Sequence, residues 1–310
     1  MRFYDASVVI TSYNQNLTLP AVLAAIQNQD FAGSYEVIVT DDGSEQDTLS
    51  IIKLAQAKGG PPIRYVWQGR EGAQRARTRN NGIAAASGRV IVLLDGDMVV
   101  FRDFIHRHVV THTGGRTATA GGRYWLYLDD MPDPEVDLAT LQSEVGHQRY
   151  FANTDSAWTA VFSCNFSFAR NGQPLDEVLL MDERFIGWGM EDQEFACRLQ
   201  HRHGYRIQVL PSIYGFHLEP GMQQNSKHLR VQTREEIAQY LHNLLYFCSL
   251  YPDVDILPGC ISLANFELDA ATDTWRSTSQ IIRKKSHIRA LLNQAREWIE
   301  RHPVLPSPTR

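Results

Sequence analysis

Along the first hundred residues, short runs of β-branched and aliphatic side chains alternate with stretches whose apolar positions recur at helical spacing. Ser7–Thr11, Glu36–Thr40, Ile63–Trp67 and Val90–Leu94 read as strands. The segments near Leu19–Gln29, Gln46–Lys58 and Gly72–Ser87 read as helices. Pro20 suits a first helical turn, and Val22, Leu23 and Ile26 fall on one helical face. Strand–helix repetition of this kind predicts a mostly parallel sheet covered by helices and joined by right-handed crossovers. Gly59-Gly60-Pro61-Pro62 breaks the chain before the third strand.

After Phe101 the pattern loosens. A helix is expected to about His112. The Gly-rich segment Gly114–Gly122 and the acidic stretch Asp129–Glu144 read as an inserted surface region. A second ordered block follows: a strand at Thr159–Phe168, a Gly-Trp-Gly turn at 187–189, a helix over Glu191–His203 and a strand at Tyr205–Leu210. Helices near Leu229–Tyr251 and Thr278–Arg301, the latter basic at Arg283-Lys284-Lys285, precede a Pro-rich end.

Composition narrows the function classes. The 310 residues carry a net charge of −5 and lack the basic excess of a nucleic-acid sleeve. Met1–Ile10 has no uninterrupted apolar stretch like that of a signal peptide, and Leu244–Tyr251 is too short to span a bilayer, so a soluble, cytoplasmic protein is expected. Cys164, Cys197, Cys248 and Cys260 form no C-x-x-C pair and read as reduced, mostly buried thiols.

In an open α/β sheet, ligands bind beyond the carboxyl ends of the strands. Those positions are polar here: Thr11-Ser12-Tyr13-Asn14 after strand one, Asp41-Asp42-Gly43-Ser44 after strand two, Asp95-Gly96-Asp97 after strand four. A single Asp there is a turn former or cap; two acidic pairs on separate strands point to a site. Carboxylates as close as Asp95 and Asp97 repel unless a cation is present, and hard oxygen donors select Mg²⁺ or Mn²⁺.

Ser7–Asn14, Glu36–Ser44, Arg79-Asn80-Asn81-Gly82-Ile83 with Ala86-Ser87-Gly88, and Asp95-Gly96-Asp97 together resemble the family 2 glycosyltransferases of the GT-A fold, in order and spacing, over about the first hundred residues. The resemblance implies that Thr11, Tyr13 and Asp41, with Asp42 beside them, hold the uracil or ribose of a UDP-sugar. It implies that Arg75, Arg77 or Arg79 reaches the diphosphate or orients the acidic pair, that Asp97 is the metal ligand and that Asp95, with Gly96, contacts sugar or ribose. Asp182–Phe195, containing Gly187-Trp188-Gly189-Met190-Glu191-Asp192, is similar to the G-W-G-x-E-D segment of β-1,4-galactosyltransferases and chondroitin-type polymerases. A sugar hydroxyl needs a carboxylate to take its proton; the resemblance implies Asp192, with Glu191 as the second choice. Trp188 offers an apolar face to the donor sugar, and its flanking glycines suit a mobile lid. Related transferases place a metal-binding His where His217 stands, and a polar strand beneath the donor, which brings in Asn165; a core position fits Asn165 equally. His106, His108 and His112, on one helix without a matching acid, read as ordinary residues, and Cys164 reads as packing.

The resulting expectation is an inverting, Mn²⁺- or Mg²⁺-dependent transferase that moves a hexose or N-acetylhexosamine from a UDP-sugar to a glycan, peptide or small-molecule hydroxyl. The GT-A catalytic domain is expected over 1–225, with a nucleotide-binding half at 1–100 and an acceptor half at 101–225, and a helical extension at 226–310. Competing readings are a retaining UDP-sugar transferase, whose relatives carry Glu-Asn in place of Glu191-Asp192, and an inactive nucleotide-sugar-binding module, which would have lost Asp97, His217 or Asp192. A nucleotidyltransferase lacks its Gly-rich triphosphate cradle here.

Overall fold

The computed structural model describes residues 3–45, 47–128, 154–170, 179–220, 233–278 and 280–302. The acidic stretch Asp129–Glu144, the boundary at 225/226 and the Pro-rich end lie outside the described residues.

The first four strands are β1 (Tyr4–Ser12), β2 (Tyr35–Asp41), β3 (Ile63–Trp67) and β4 (Gly88–Asp95), with α1 (Leu19–Gln27), α2 (Thr48–Ala57) and α3 (Arg75–Ala85) between them. The chain continues through β5 (Met98–Val100), α4 (Phe104–Val110), β6 (Thr117–Leu128), β7 (Asn165–Ala169), α5 (Glu191–His201), β8 (Arg206–Pro220) and α6 (Arg234–Leu250). A hairpin of β9 (Phe266–Asp269) and β10 (Thr274–Ser277) then leads to α7 (Lys285–Arg301). Eight strands form one sheet in the order β3-β2-β1-β4-β7-β6-β8-β5. Pairing is parallel among β1, β2, β3 and β4 and between β6 and β8, and antiparallel where β7 meets β4 and β6 and where β5 meets β8.

Alternation along the strands sorts the core into two layers. Val8 and Ile10 of β1 pack with α1, Val22, Leu23 and Ile26 included, while Val9 faces α3 and the layer containing Phe166, Phe195 and Leu241. Gly82 is what lets α3 lie down on the sheet: a Cβ there would stand 2.3 Å from Val9 Cγ1 and 2.7 Å from Thr40 Cγ2.

Four expectations need correction. The supposed surface insert holds a long strand, β6, inside the sheet; at Gly121 a Cβ would meet the Asn165 amide and the Ile213 carbonyl at 2.4 Å, so the glycine marks a close crossing and not a loop. The strand expected from Thr159 begins only at Asn165, because Thr154–Ala160 coils as 3₁₀ helix. The last helix starts at Lys285, after the β9–β10 hairpin, and the strand expected to stop at Leu210 runs on to Pro220. In β8 the register against β6 jumps from Leu210 opposite Gly121 to Tyr214 opposite Gly122. Pro211, which lacks an N–H for the ladder, falls in that bulge.

Candidate active site

Two structural devices assemble the site. After Asp97 the chain enters β5, which pairs antiparallel with the second half of β8 so that Met98 lies opposite His217 and Leu218 N–H donates to the Asp97 carbonyl. This pairing brings His217 Nε2 to 3.4 Å from Asp97 Oδ1. The second device is α3, whose Arg79, 4% exposed, bridges both acidic segments. Its Nη2 donates to Asp95 Oδ1 at 3.2 Å, while Nη1 stands 3.6 Å from Glu191 Oε1 and 3.8 Å from Asp192 Oδ1. The neighbouring Asn80 clamps the same helix to the second block, donating to Met181 O at 2.9 Å and accepting from Met181 N at 2.7 Å.

Of the three arginines considered, Arg79 is therefore the one that orients the acids. Arg75 donates to the Gly187 carbonyl at 3.0 Å and Arg77 to Gln74 Oε1 at 3.0 Å. Burial opposes the charge on Arg79, but Asp192, Asp95 and Glu191 outweigh it and hold the guanidinium protonated. Burial, reinforced by Asp192, raises Glu191 above the usual carboxylate range.

Asp192 and Glu191 open α5 after Met190, which takes a left-handed conformation at φ 74°. Both oxygens of Asp192 are held by one residue that the sequence reading passed over: Ser163 Oγ donates to Oδ1 at 2.6 Å and Ser163 N to Oδ2 at 3.1 Å. The available signal was a polar residue just ahead of the Asn165 strand, too common to single out. Gln15 was missed in the same way. Its Nε2 donates to Asp97 Oδ2 at 2.7 Å, which turns the other oxygen toward His217.

Burial first, then the Asp95 charge, pushes Asp97 up to about 7. Burial lowers His217. Asp97 Oδ1 and His217 Nδ1 are buried without a hydrogen-bond partner, although Glu219 Oε1 stands 3.5 Å from that nitrogen, and the Trp125 ring packs on the imidazole at 4.3 Å between centroids. An orphaned carboxylate oxygen facing an imidazole suits a divalent cation. Two donors each about 2.1 Å from one ion stand about 3.0–3.4 Å apart for angles from a right angle to the tetrahedral, and the pair stands at 3.4 Å. Among the described residues no cluster of three or more His, Cys, Asp or Glu is gathered as a metal cage, so the rest of a coordination shell falls to ligand oxygens and water.

At the nucleotide end, Thr11 sits at the close of β1, its carbonyl accepting from Gly96 N at 2.8 Å. Asp41 accepts from Ser44 N and Oγ on one oxygen and from Tyr65 OH on the other. Asp42 accepts from Gln68 Nε2, from Gln74 N and from Arg70, whose guanidinium also lies 3.5 Å above the Tyr13 ring.

Asn165 takes the core position of its two readings, and Trp188 stands elsewhere than expected. Asn165 is 2% exposed and its amide is fully engaged: Nδ2 donates to Gly122 O and Ile213 O, and Oδ1 accepts from His108 Nε2. It belongs to the sheet interior beneath the site. Trp188 is half-buried against Tyr240 and Phe266, with centroids 5.0 and 6.3 Å away. Its turn is pinned by Asn243 Nδ2, which donates to the carbonyls of Ile186, Trp188 and Gly189, and by Gly187 N donating to Ala73 O. In place of a free lid, the Gly-Trp-Gly segment is a seam with the C-terminal elements. Asn243→Ala, which strips these carbonyls of their donor, is expected to lower stability by about 1–3 kcal/mol in urea titrations.

The glycosyl transferase family 2 profile matches residues 7–179, more than half of the chain. The chain belongs to glycosyl transferase family 2. A second match, to the N-terminal domain of galactosyltransferase, covers 146–219 and includes the Gly-Trp-Gly-Met-Glu-Asp segment. The family member is 28% identical over 273 residues to a hyaluronan synthase of Pasteurella multocida and 27% identical over 272 residues to a chondroitin synthase of Escherichia coli. The alignments cover 77% and 76% of this chain but only 28% and 39% of those longer proteins. GalNAc-T7, solved with UDP, GalNAc and Mn²⁺, superposes with a TM-score of 0.57 at 17% identity over 83% of this chain and 53% of its own. The fold is GT-A, and the chain belongs to a family of glycosyl transferases. No helix among the described residues is long and apolar enough to cross a membrane.

Proposed function

We propose that this glycosyltransferase transfers a hexose or N-acetylhexosamine from a UDP-sugar to an acceptor hydroxyl with inversion, and that it depends on Mn²⁺ or Mg²⁺. The observation that supports this most is that Arg79 joins Asp95, at the carboxyl end of β4, to Glu191 and Asp192, while two residues beyond Asp95 the Asp97 carboxylate meets His217. Asp97 Oδ1 and His217 Nε2 are the atoms that would hold the cation, which when bound offsets the negative charge of the departing diphosphate.

In this reading Asp192 accepts the proton of the attacking hydroxyl, held in place by Ser163 and facing Arg79. Glu191, the more enclosed of the pair, contacts a substrate hydroxyl. Attack from the face opposite the diphosphate inverts the anomeric carbon, as the spacing logic of inverting glycosidases requires. Thr11, Tyr13 and Asp41 receive uridine: Asp41 keeps acceptor capacity beyond its three present bonds, and Arg70 leaves the Tyr13 face when a base stacks there. The four cysteines are free, which suits a reducing cytoplasmic setting.

A donor panel followed by UDP release tests the reading. Release is expected from UDP-sugars with Mn²⁺ present, and its abolition by EDTA; full activity in EDTA refutes the metal site. In thermal melts UDP with Mn²⁺ at about 100 times Kd is expected to add about 2.7 kcal/mol, with GDP and dTDP adding less. A larger shift with GDP assigns a different donor class.

A further inference from the structure

We propose that the segment Ile281–Lys285, together with one face of α7, is a docking surface for an anionic phospholipid bilayer. The charge distribution is the first observation. Between Asp273 and Glu297 the chain has no acidic residue but six Lys and Arg, in a protein whose net charge is −5. Five of the six, Arg283, Lys284, Lys285, Arg289 and Arg296, are exposed on α7 or just before it. About the axis of α7, Lys285, Arg289 and Arg296 lie within about 40° of one another, along one edge of the arc that buries Ile288, Leu291, Leu292, Ala295 and Trp298. Asp255 pairs with Lys285 at 3.2 Å on the surface; Glu267 and Asp269 are held by Arg276. Glu297 and Glu300 close the stripe at its Arg296 end, about 18 Å along the helix from Lys285.

The second observation is independent of charge. Ile281 and Ile282, directly ahead of the basic run, are 42% and 44% exposed, whereas the aliphatic residues of α7, Ile288, Leu291 and Leu292, are buried. A polyanion such as RNA has no use for an exposed isoleucine pair. A bilayer interface does: aliphatic side chains enter the acyl boundary while the adjoining Lys and Arg meet anionic headgroups. The surface is made for reversible attachment, since two apolar side chains fall far short of a lipid anchor.

Co-sedimentation of the full chain with phosphatidylcholine vesicles, with and without about 30% phosphatidylglycerol, tests the proposal. Binding is expected only to the anionic vesicles, and is expected to be lost near 0.5 M salt, where the Debye length is about 4 Å. Each cation removed weakens binding about fivefold, so Arg283→Gln with Lys284→Gln and Arg289→Gln is expected to cost about 100-fold. Ile281→Ser with Ile282→Ser is expected to cost at least about tenfold at unchanged charge. All five positions are exposed, so thermal melts of the variants should match the parent. Equal binding to neutral vesicles, absence of binding to anionic ones, insensitivity to either set of substitutions, or salt-sensitive RNA binding without vesicle binding each overturns it.

Discussion

Asp192→Asn is expected to lower kcat by about 10²- to 10⁴-fold, the usual worth of a general base, with UDP-sugar affinity nearly unchanged. Asparagine is isosteric and can still meet Ser163, so the geometry that Ser163 Oγ imposes at 2.6 Å survives while the proton acceptor is lost. Glu191→Gln is expected to act through KM, because Glu191 is the more buried partner and its charge is balanced by Arg79. Single-turnover rates with saturating donor separate the two. Near-normal turnover in Asp192→Asn with a dead Glu191→Gln exchanges their roles; normal turnover in both removes the inverting mechanism. The Ser163–Asp192 pair adds a subsidiary expectation, that Ser163→Ala loses kcat without losing UDP binding.

Acid is expected to unfold this protein well before its carboxylates alone would dictate. His108 and His112 lie in a closed hydrogen-bond chain behind the site. Because Asn165 Nδ2 is committed to two carbonyls, Asn165 Oδ1 must accept from His108 Nε2. His108 Nδ1 then accepts from Ser167 Oγ, Ser167 Oγ accepts from His112 Nε2, and His112 Nδ1 accepts from Thr117 Oγ1. Both rings are neutral in this arrangement, and a second proton on either would remove the acceptor to which the Ser167 or Thr117 hydroxyl donates. Burial accordingly lowers His108 to about 3 and His112 to about 4. The unfolded chain takes up these protons near pH 6.5 and the folded chain does not, so the stabilisation is complete above pH 6.5 and is lost as pH falls toward 4. Each histidine contributes about 1.4 kcal/mol per pH unit across that window. From pH 6.5 to 4.5 the two together remove roughly 5 kcal/mol, comparable to the whole stability of an ordinary domain. Urea midpoints at pH 7, 6, 5 and 4.5 measure this. The double variant His108→Gln with His112→Asn is expected to be weaker at pH 7 but much flatter with pH, whereas parallel slopes would place the acid sensitivity elsewhere.

The amino-acid sequence by itself determined the first half of the molecule closely. Alternating aliphatic runs at Val8–Ile10, Val37–Val39 and Val90–Leu94, a proline in the first turn of α1 and Gly-Pro breaks define elements by local interactions, and the strands lie where the pattern puts them. The polar strand ends at Asp41-Asp42 and Asp95-Gly96-Asp97 were legible for the same reason, since a buried strand followed by acids is a local signature. Period and propensity failed where structure depends on distant neighbours. Gly114–Gly122 reads as part of a surface insert because Gly121 answers to Asn165 and Ile213 across the sheet. His108 reads as ordinary because its partners come from β7, some sixty residues later in the chain. The meeting of Asp97 with His217 follows from β5–β8 pairing, and that of Asp95 with Glu191 and Asp192 from one arginine on α3. Residue types and strand ends are local properties, written in the chain. Which carboxylate faces which base is a product of sheet register and helix docking, and these are decided only when the whole core packs.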